Sequence, residues 1–373
     1  MYFHRCKRAG RPPAAGAVLL FALAVSCAWS AAAQSEILLP PSKQHEIRAA
    51  INAEMERLRI PGLSAAIALN LQLVWSEGFG QADIENSVPA RAHTMYRLAS
   101  ISKPITAVAV MQLAERGKLK LDETIQTYVP AFPQKEWPVT VRDLLAHLGG
   151  VRHYKSQAEV QSTQHYTEIL GALDVFGNDP LLFKPGTRYL YTTYGFTLLG
   201  GAVESASGMR FMEYLREHIF GPARMDRIRD DNVYAIIPNR ARGYRRGQGG
   251  EIENCALADT SNKIPGGGMI STAGDLVQFA SAVAGGTLLG RKSVEEMFTE
   301  QKTADGKPTG YGLGWHVFHI DGRKWVGHGG NQPGVSTLLF MDPEQGFAVS
   351  LMANLEGVNL RPLAVRIAGI ALR

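Results

Sequence analysis

Ser100 and Lys103 stand three residues apart in Arg97-Leu98-Ala99-Ser100-Ile101-Ser102-Lys103-Pro104, ahead of an apolar run through Met111 and Leu113 to Gly117. If Ser100 opens a helix, Lys103 lies one turn on and on the same face, within reach of the hydroxyl. A serine hydroxyl is a weak nucleophile at its free pKa, and an amine whose pKa is lowered by burial and nearby charge can take its proton. The pair alone also reads as an N-cap serine followed by a surface lysine, so other residues must complete it. Two places can. Tyr191-Thr192-Thr193 follows Phe183-Lys184-Pro185-Gly186 and precedes Gly195-Phe196; a tyrosine beside a cationic lysine can have a lowered pKa and act as base, and Thr193 can hydrogen-bond a substrate amide. Gly327-His328-Gly329-Gly330-Asn331-Gln332-Pro333-Gly334 lies at a strand edge, where glycines such as Gly330 let backbone approach a substrate. An N–H near Asn331 together with that of Ser100 could form an oxyanion hole. Read singly, these two places are a packed aromatic at a helix start and a glycine-rich hairpin turn.

The elements that must hold these residues follow from hydrophobic spacing. Ile37 to Ser42 reads as a linker, with Ser42 capping a helix that shares Ile47, Ile51, Met55 and Leu58 on one face before Pro61-Gly62. Leu63–Leu69 and Leu71–Phe79 read as strands joined by a tight turn near Asn70. From Ile105 to Gly117 the spacing gives a helix with one buried side, and Thr140 can cap Val141–His147. The middle continues mainly helical, over Tyr166–Asp174, Tyr194–Ser207 and Phe211–Ile219. Strand character returns at Asn232–Ile237 and Ala241–Tyr244, followed by helices over Ala273–Val283 and Ser293–Glu300. Four strands, Tyr311–Ile320, Lys324–Gly327, Val335–Met341 and Phe347–Ala353, separated in part by a glycine-rich loop, precede a last helix, Leu360–Leu372. Strands at both ends with helices between predict an α/β fold of the α+β type. The sheet region is residues 34–105 together with 256–373, and a mainly helical region, 106–255, is inserted. The pattern is not a βαβ repeat, which argues against a doubly wound parallel sheet.

Composition narrows the classes. With 373 residues, 45% hydrophobic and 20% charged, the chain can bury a large core. Residues 1–33 carry Arg5, Lys7, Arg8 and Arg11, then an uncharged run from Ala14 that ends Ser30-Ala31-Ala32-Ala33. This is the layout of a signal peptide with cleavage after Ala33, giving a secreted or periplasmic protein. An uncleaved anchor or lipid attachment through Cys27 are the alternatives, and membrane contact is expected only through them. Without this segment the formal charge falls from +5 to +1, so the basic balance is mostly the leader and no nucleic-acid partner is expected. Of three cysteines only Cys255 lies beyond it, so no internal disulfide is expected. No cofactor is implied. His147, His153 and His165 come without an H-E-x-x-H and suggest no metal, and no G-x-S-x-G occurs. His316 and His319 fall on opposite faces of a strand and read as structural, and Gly266-Gly267-Gly268 lacks the lysine of a phosphate loop.

Taken in order, Ser100-x-x-Lys103, Tyr191-x-Thr193 and His328-x-Gly330 resemble the penicillin-recognising serine hydrolases, in the class C β-lactamase-like branch. The flanks Leu144-Leu145-Ala146-His147-Leu148-Gly149-Gly150 and Gly266-Gly267-Gly268-Met269-Ile270-Ser271-Thr272 match too, and the likeness spans about residues 43–373. Gly149 to Tyr154, Leu190 to Leu199 and Asn239 to Tyr244 resemble the mitochondrial serine β-lactamase-like proteins and their bacterial relatives. The resemblance implies a mainly antiparallel sheet flanked by helices. It also implies an acyl-enzyme hydrolase cleaving amide or ester bonds of a small peptide or ester substrate. Ser100 would be the nucleophile, Lys103 and Tyr191 its activating pair, and Thr193, His328, Gly330 and Asn331 substrate-side or oxyanion groups. Two departures count against strong β-lactamase action: Thr193 stands where class C enzymes commonly carry Asn, and His328-Gly329 replaces the Lys-Thr of K-T-G. A class C β-lactamase, a D-Ala carboxypeptidase and a non-catalytic peptidoglycan-sensing or self-assembling scaffold are the alternative readings.

Overall fold

A computed structural model describes residues 38–373, and the leader read at 1–33 lies outside them. The first helix, α1 (Pro41–Leu58), begins two residues earlier than expected, with Pro40 rather than Ser42 at its cap position. Proline at the first helical position forfeits no hydrogen bond there, which explains the shift. β1 (Gly62–Leu69) and β2 (Gln72–Asp83) form the expected hairpin, with Asn70 and Leu71 both at positive φ in the turn.

These strands join a seven-stranded antiparallel sheet with β3 (Val88–Pro89), β9 (His316–Ile320), β10 (Arg323–Gln332), β11 (Val335–Asp342) and β12 (Phe347–Ala353). Between these, four short strands, β4 (Tyr96–Arg97), β5 (Arg229–Asp230), β6 (Tyr244–Arg246) and β7 (Ile252–Asn254), stand apart from that sheet, and β8 (Met269–Ser271) lies between β4 and β5. The large sheet runs β3-β2-β1-β12-β11-β10-β9, so β1 from one end of the chain pairs with β12 from the other, Leu63 opposite Ala353 and Ala68 opposite Ala348. Both faces are covered. Leu63, Ala65 and Ile67 of β1, with Val349 and Leu351 of β12, pack with α1 and the last helix, α8 (Arg361–Ala371). Ala66, Ala68 and Met352 point the other way, toward α6 (Ala273–Ala284) and the central helix α2 (Ser102–Glu115). Alternate residues of a strand point to opposite faces, so burial of both makes these strands read as continuous apolar runs.

Several expectations need correction. α2 is buried on every side from Ser102 to Leu113, whereas its spacing predicts one buried stripe; it runs through the core instead of along it. Asn232–Ile237 is not a strand: Tyr234 and Ile236 are exposed and the segment turns, with Asn232 Oδ1 accepting from Tyr234 N–H at 2.8 Å. Such an asparagine bond offers the backbone a local alternative to a ladder. Ala241 to Gly243 is likewise outside β6. The helix expected over Tyr166–Asp174 is instead a 3₁₀ turn, Ile169–Ala172, followed by one α-turn, Leu173–Phe176, and the strand expected from Tyr311 begins only at His316. The helix from Thr140 is α3 (Val141–Leu145), held by a capping box in which Thr140 and Asp143 exchange bonds. It is followed by α4 (Tyr194–Ser207), α5 (Phe211–Leu215) and, after α6, α7 (Arg291–Met297).

Phe340 of β11 is fully buried and stacks on Trp325 of β10, with ring centroids 4.6 Å apart and planes within 5°. Phe340→Ala is expected to cost about 3–5 kcal/mol of unfolding free energy, read as a lowered denaturant midpoint.

Candidate active site

Ser100 does not open the helix as expected. It is the middle residue of a 3₁₀ turn, Ala99–Ile101, that precedes α2. Ala99 sits at φ +49°, a left-handed conformation that costs an alanine about 1 kcal/mol and turns the chain sharply out of β4. The turn is tied down by Thr337 of β11, whose Oγ1 donates to Leu98 O at 2.9 Å, and by Leu98 N–H donating to Met269 O at 2.8 Å. Ser100 therefore stands part-exposed on a held turn.

Lys103 follows in the first turn of α2, with no surface exposed to solvent. Its Nζ lies 3.1 Å from Ser100 Oγ, 3.1 Å from Thr193 Oγ1 and 2.7 Å from Gly266 O, and 4.7 Å from the centre of the Tyr191 ring. All three partners are uncharged. Burial, helped by the charge of Lys263, pushes this amine well below the ordinary lysine range. A neutral amine has two N–H donors and one lone pair. Gly266 O can only accept, so donation there and to Thr193 leaves the lone pair for the Ser100 hydroxyl.

Tyr191 enters just before α4. Thr192 N–H donates to His147 Nδ1 at 3.2 Å and Leu190 N–H to His147 O at 2.9 Å, so His147, itself at φ +59°, holds the segment. The His147 ring lies 4.3 Å from that of Tyr191, tilted 46° to it. Burial raises the Tyr191 hydroxyl well above the ordinary range, opposed by its hydrogen bond with Ser100. This reverses the expected lowered pKa: burial is the larger effect on the tyrosine, and the lysine beside it is itself pushed away from its charged form.

Thr193 lines the same cavity as Ser100. Its hydroxyl is engaged by Lys103 and Tyr154, and its N–H donates to His153 Nδ1 at 3.2 Å. His328 is on β10, which extends to Gln332; the glycine-rich stretch from Gly327 to Asn331 is thus strand and not loop. Its Nδ1 lies 2.7 Å from Gly329 O and its Nε2 2.9 Å from the Tyr311 hydroxyl. Nδ1–H must donate to the carbonyl, leaving Nε2 to accept from tyrosine, which is the neutral tautomer. Burial holds it neutral, well below the usual histidine range. Gly330 is where β10 meets the serine turn: a Cβ there would stand 2.3 Å from Leu98 O and 3.1 Å from Ala99 Cβ. Asn331 turns its side chain away, Oδ1 accepting from Gly357 N–H at 3.0 Å.

A cavity of about 370 Å³ opens over Ser100, Tyr191, Thr193, His328, Gly330 and Asn331, so the seven sequence-predicted residues meet at one place, Lys103 from beneath. His316, read as structural, lies in the same wall with its ring 4.8 Å from that of His328. Lys263 and Gln332 also line the cavity and were not singled out from sequence. The available signal was Lys263 standing three residues ahead of the Gly266 to Gly268 run. Among the described residues no group of His, Cys, Asp and Glu could hold a metal ion.

A family model described as Beta-lactamase matches residues 47–371. The human mitochondrial serine beta-lactamase-like protein LACTB is 29% identical over 83% of this chain and 76% of its own length. The octameric penicillin-binding protein homologue from Pyrococcus abyssi superposes with a TM-score of 0.76 at 26% identity, covering 88% of this chain and 77% of that one. The D-amino acid amidase from Ochrobactrum anthropi SV3, complexed with D-phenylalanine, shares the fold with a TM-score of 0.78 at 23% identity, over 88% of this chain and 98% of that one.

Burial lowers His153 and His316 from 6.5 to about 4. The unfolded chain binds those protons below pH 6.5 and the folded chain does not until about pH 4, so stability declines as pH falls through that window. The urea midpoint is expected to drop between pH 7 and pH 5, and the double variant His153→Asn with His316→Asn to show a flatter dependence.

Proposed function

We propose that this chain, which belongs to the Beta-lactamase family of serine hydrolases, cleaves amide or ester bonds of a small peptide or ester through an acyl-enzyme on Ser100. The observation that carries the reading is the dry amine of Lys103, 3.1 Å from the Ser100 hydroxyl with only neutral partners.

Ser100 Oγ attacks the carbonyl carbon as its proton passes to the Lys103 lone pair. The carbonyl oxygen becomes an oxyanion, held by the Ser100 N–H, which as part of a helix start has no partner within its own turn, and by an N–H of β10 near Asn331. When the intermediate collapses, the bond to the leaving nitrogen or oxygen breaks and that atom takes a proton from the Tyr191 hydroxyl. Tyr191 is replenished from Lys103, and its raised pKa suits it to donate. Water then attacks the acyl carbon, gives its proton back along the same route, and releases Ser100. Thr193 holds the lysine amine in place. Neutral His328, with both nitrogens occupied, offers no cation for a β-lactam carboxylate, which favours peptidase or esterase work over efficient β-lactam hydrolysis. The basic and then apolar run at 1–33 supports export.

Ser100→Ala is expected to abolish 4-nitrophenyl ester hydrolysis and labelling by a fluorophosphonate while leaving the circular dichroism spectrum intact. Lys103→Met and Tyr191→Phe should each lower kcat/KM by about 10²–10⁴-fold. In Tyr191→Phe the alkaline limb of the pH profile should stay where it is, because the tyrosine remains protonated throughout; a displaced limb would make it the base. Nitrocefin turnover should be poor beside that of 4-nitrophenyl esters. Equal efficiency would show that the missing cation on β10 does not matter.

A further inference from the structure

The substrate cavity carries an unbalanced charge. Among its described lining residues are Lys263 and Arg361 and no aspartate or glutamate. Lys263 is almost wholly buried, with 2% of its surface exposed. Its Nζ donates to Val160 O at 3.0 Å and lies 5.2 Å from the centre of the Tyr154 ring. The acid whose charge it feels, Asp259, is taken by His165 at 2.7 Å and by Ser261 N–H at 2.8 Å, and no ion pair joins it to Lys263 among the described residues. An ammonium has three donors, so this one keeps two for something that enters the cavity. Burying a cation against one carbonyl and a ring is costly unless an anion completes the set.

A second group points the same way. Gln332, nine-tenths buried at the end of β10, has an Nε2 with no hydrogen-bond partner. Its Oε1 lies 3.8 Å from where a Cβ on Gly267 would stand, so it abuts the wall formed by the short helix Ile264–Gly267 that Lys263 caps. An orphaned buried amide of this kind is uncommon in a native structure and marks a place where a partner is missing.

The sides of the cavity can be told apart. His328, Gly330 and Gln332 alternate along β10 and so share the face that meets the serine turn, with Gly330 touching Leu98 and Ala99. His328 lies to one side of the nucleophile, its ring 6.1 Å from that of Tyr191, which delivers the proton to the leaving group. Gln332 lies to the other side, with Gly267, whose short helix begins at Lys263. That side receives the acyl portion. We propose that Lys263 and Gln332 form a subsite for a carboxylate carried on the acyl portion of the substrate, and that Lys263 is thereby the specificity-determining cation of this enzyme. The proposal rests on the acyl-enzyme reading above and adds the substrate class to it: a carboxyacyl ester or amide.

The test compares 4-nitrophenyl hydrogen glutarate with its uncharged counterpart, 4-nitrophenyl 4-carbamoylbutyrate, on the full enzyme. Wild type is expected to prefer the carboxylate ester by about tenfold or more in kcat/KM, with the difference mostly in KM. The preference should collapse to near unity in Lys263→Met, survive largely in Lys263→Arg, and shrink severalfold in Gln332→Leu. The Gln332→Leu arm and the wild-type ratio carry the test if Lys263→Met does not fold. A wild-type ratio near one, with both esters turned over, overturns the subsite and leaves the hydrolase standing, as does an unaltered preference in folded Lys263→Met. Turnover of neither ester by wild type removes the acyl-enzyme reading and the subsite with it.

Discussion

An amine buried without a carboxylate is the constraint on which the rest of this protein turns. A lysine inside a protein is normally paired or at the surface, because a dry ammonium lacks the water that stabilises it. Here the surroundings of Lys103 supply a carbonyl, two hydroxyls and two aromatic rings, and no negative charge. That set tolerates the neutral form and penalises the charged one, and the positive Lys263 adds to the penalty. The same dryness moves neighbouring groups in the direction their own charge dictates. His147 and His328 are held neutral and Tyr191 is held protonated. One physical cause therefore sets a base, an acid and an uncharged wall around a single serine hydroxyl.

The packing that keeps the amine dry comes from the two ends of the chain and from its middle. α2 carries Lys103 through the core, and its contacts with α4 and with the Ile264–Gly267 turn bring Thr193 and Gly266 to the amine. β10 and β11 close the other side through Gly330 and Thr337. Only glycine admits the strand that near to the serine turn, so the geometry of Ser100 depends on a residue with no side chain at all.

Much of this was legible in the sequence, and for identifiable reasons. Thr140 and the apolar spacing of Tyr194–Ser207 are local signals, and the structure realises them as a capping box and α4. β1, β11 and β12 announced themselves as apolar runs of strand length. Asn232–Ile237 has strand-like composition as well, but composition carries no information about whether a sheet edge is within reach, and none receives it. The motif residues of the site were found because they are spaced along short stretches. Their electrostatic state was not legible, because a pKa depends on what the whole fold brings near: the neutrality of Lys103 and His328 is written by burial. Lys263 and Gln332 escaped for the same reason, since a lone lysine or glutamine has no pattern until a cavity forms beside it.

The pairing of β1 with β12 places Leu63 against Ala353, and Lys43 at one end of the chain donates to Ala371 O at the other, 2.9 Å away. The centre of the sheet is thus assembled from strands nearly three hundred residues apart, Leu63 opposite Ala353. Contacts so remote in sequence require a loss of chain entropy before they return any energy, which slows folding. A growing chain on the ribosome has β1 but no β12, and its central strand waits with one edge bare. Loss of a few C-terminal residues would remove the partner of the N-terminal helix, far from Ser100 in sequence yet on the scaffold that holds it.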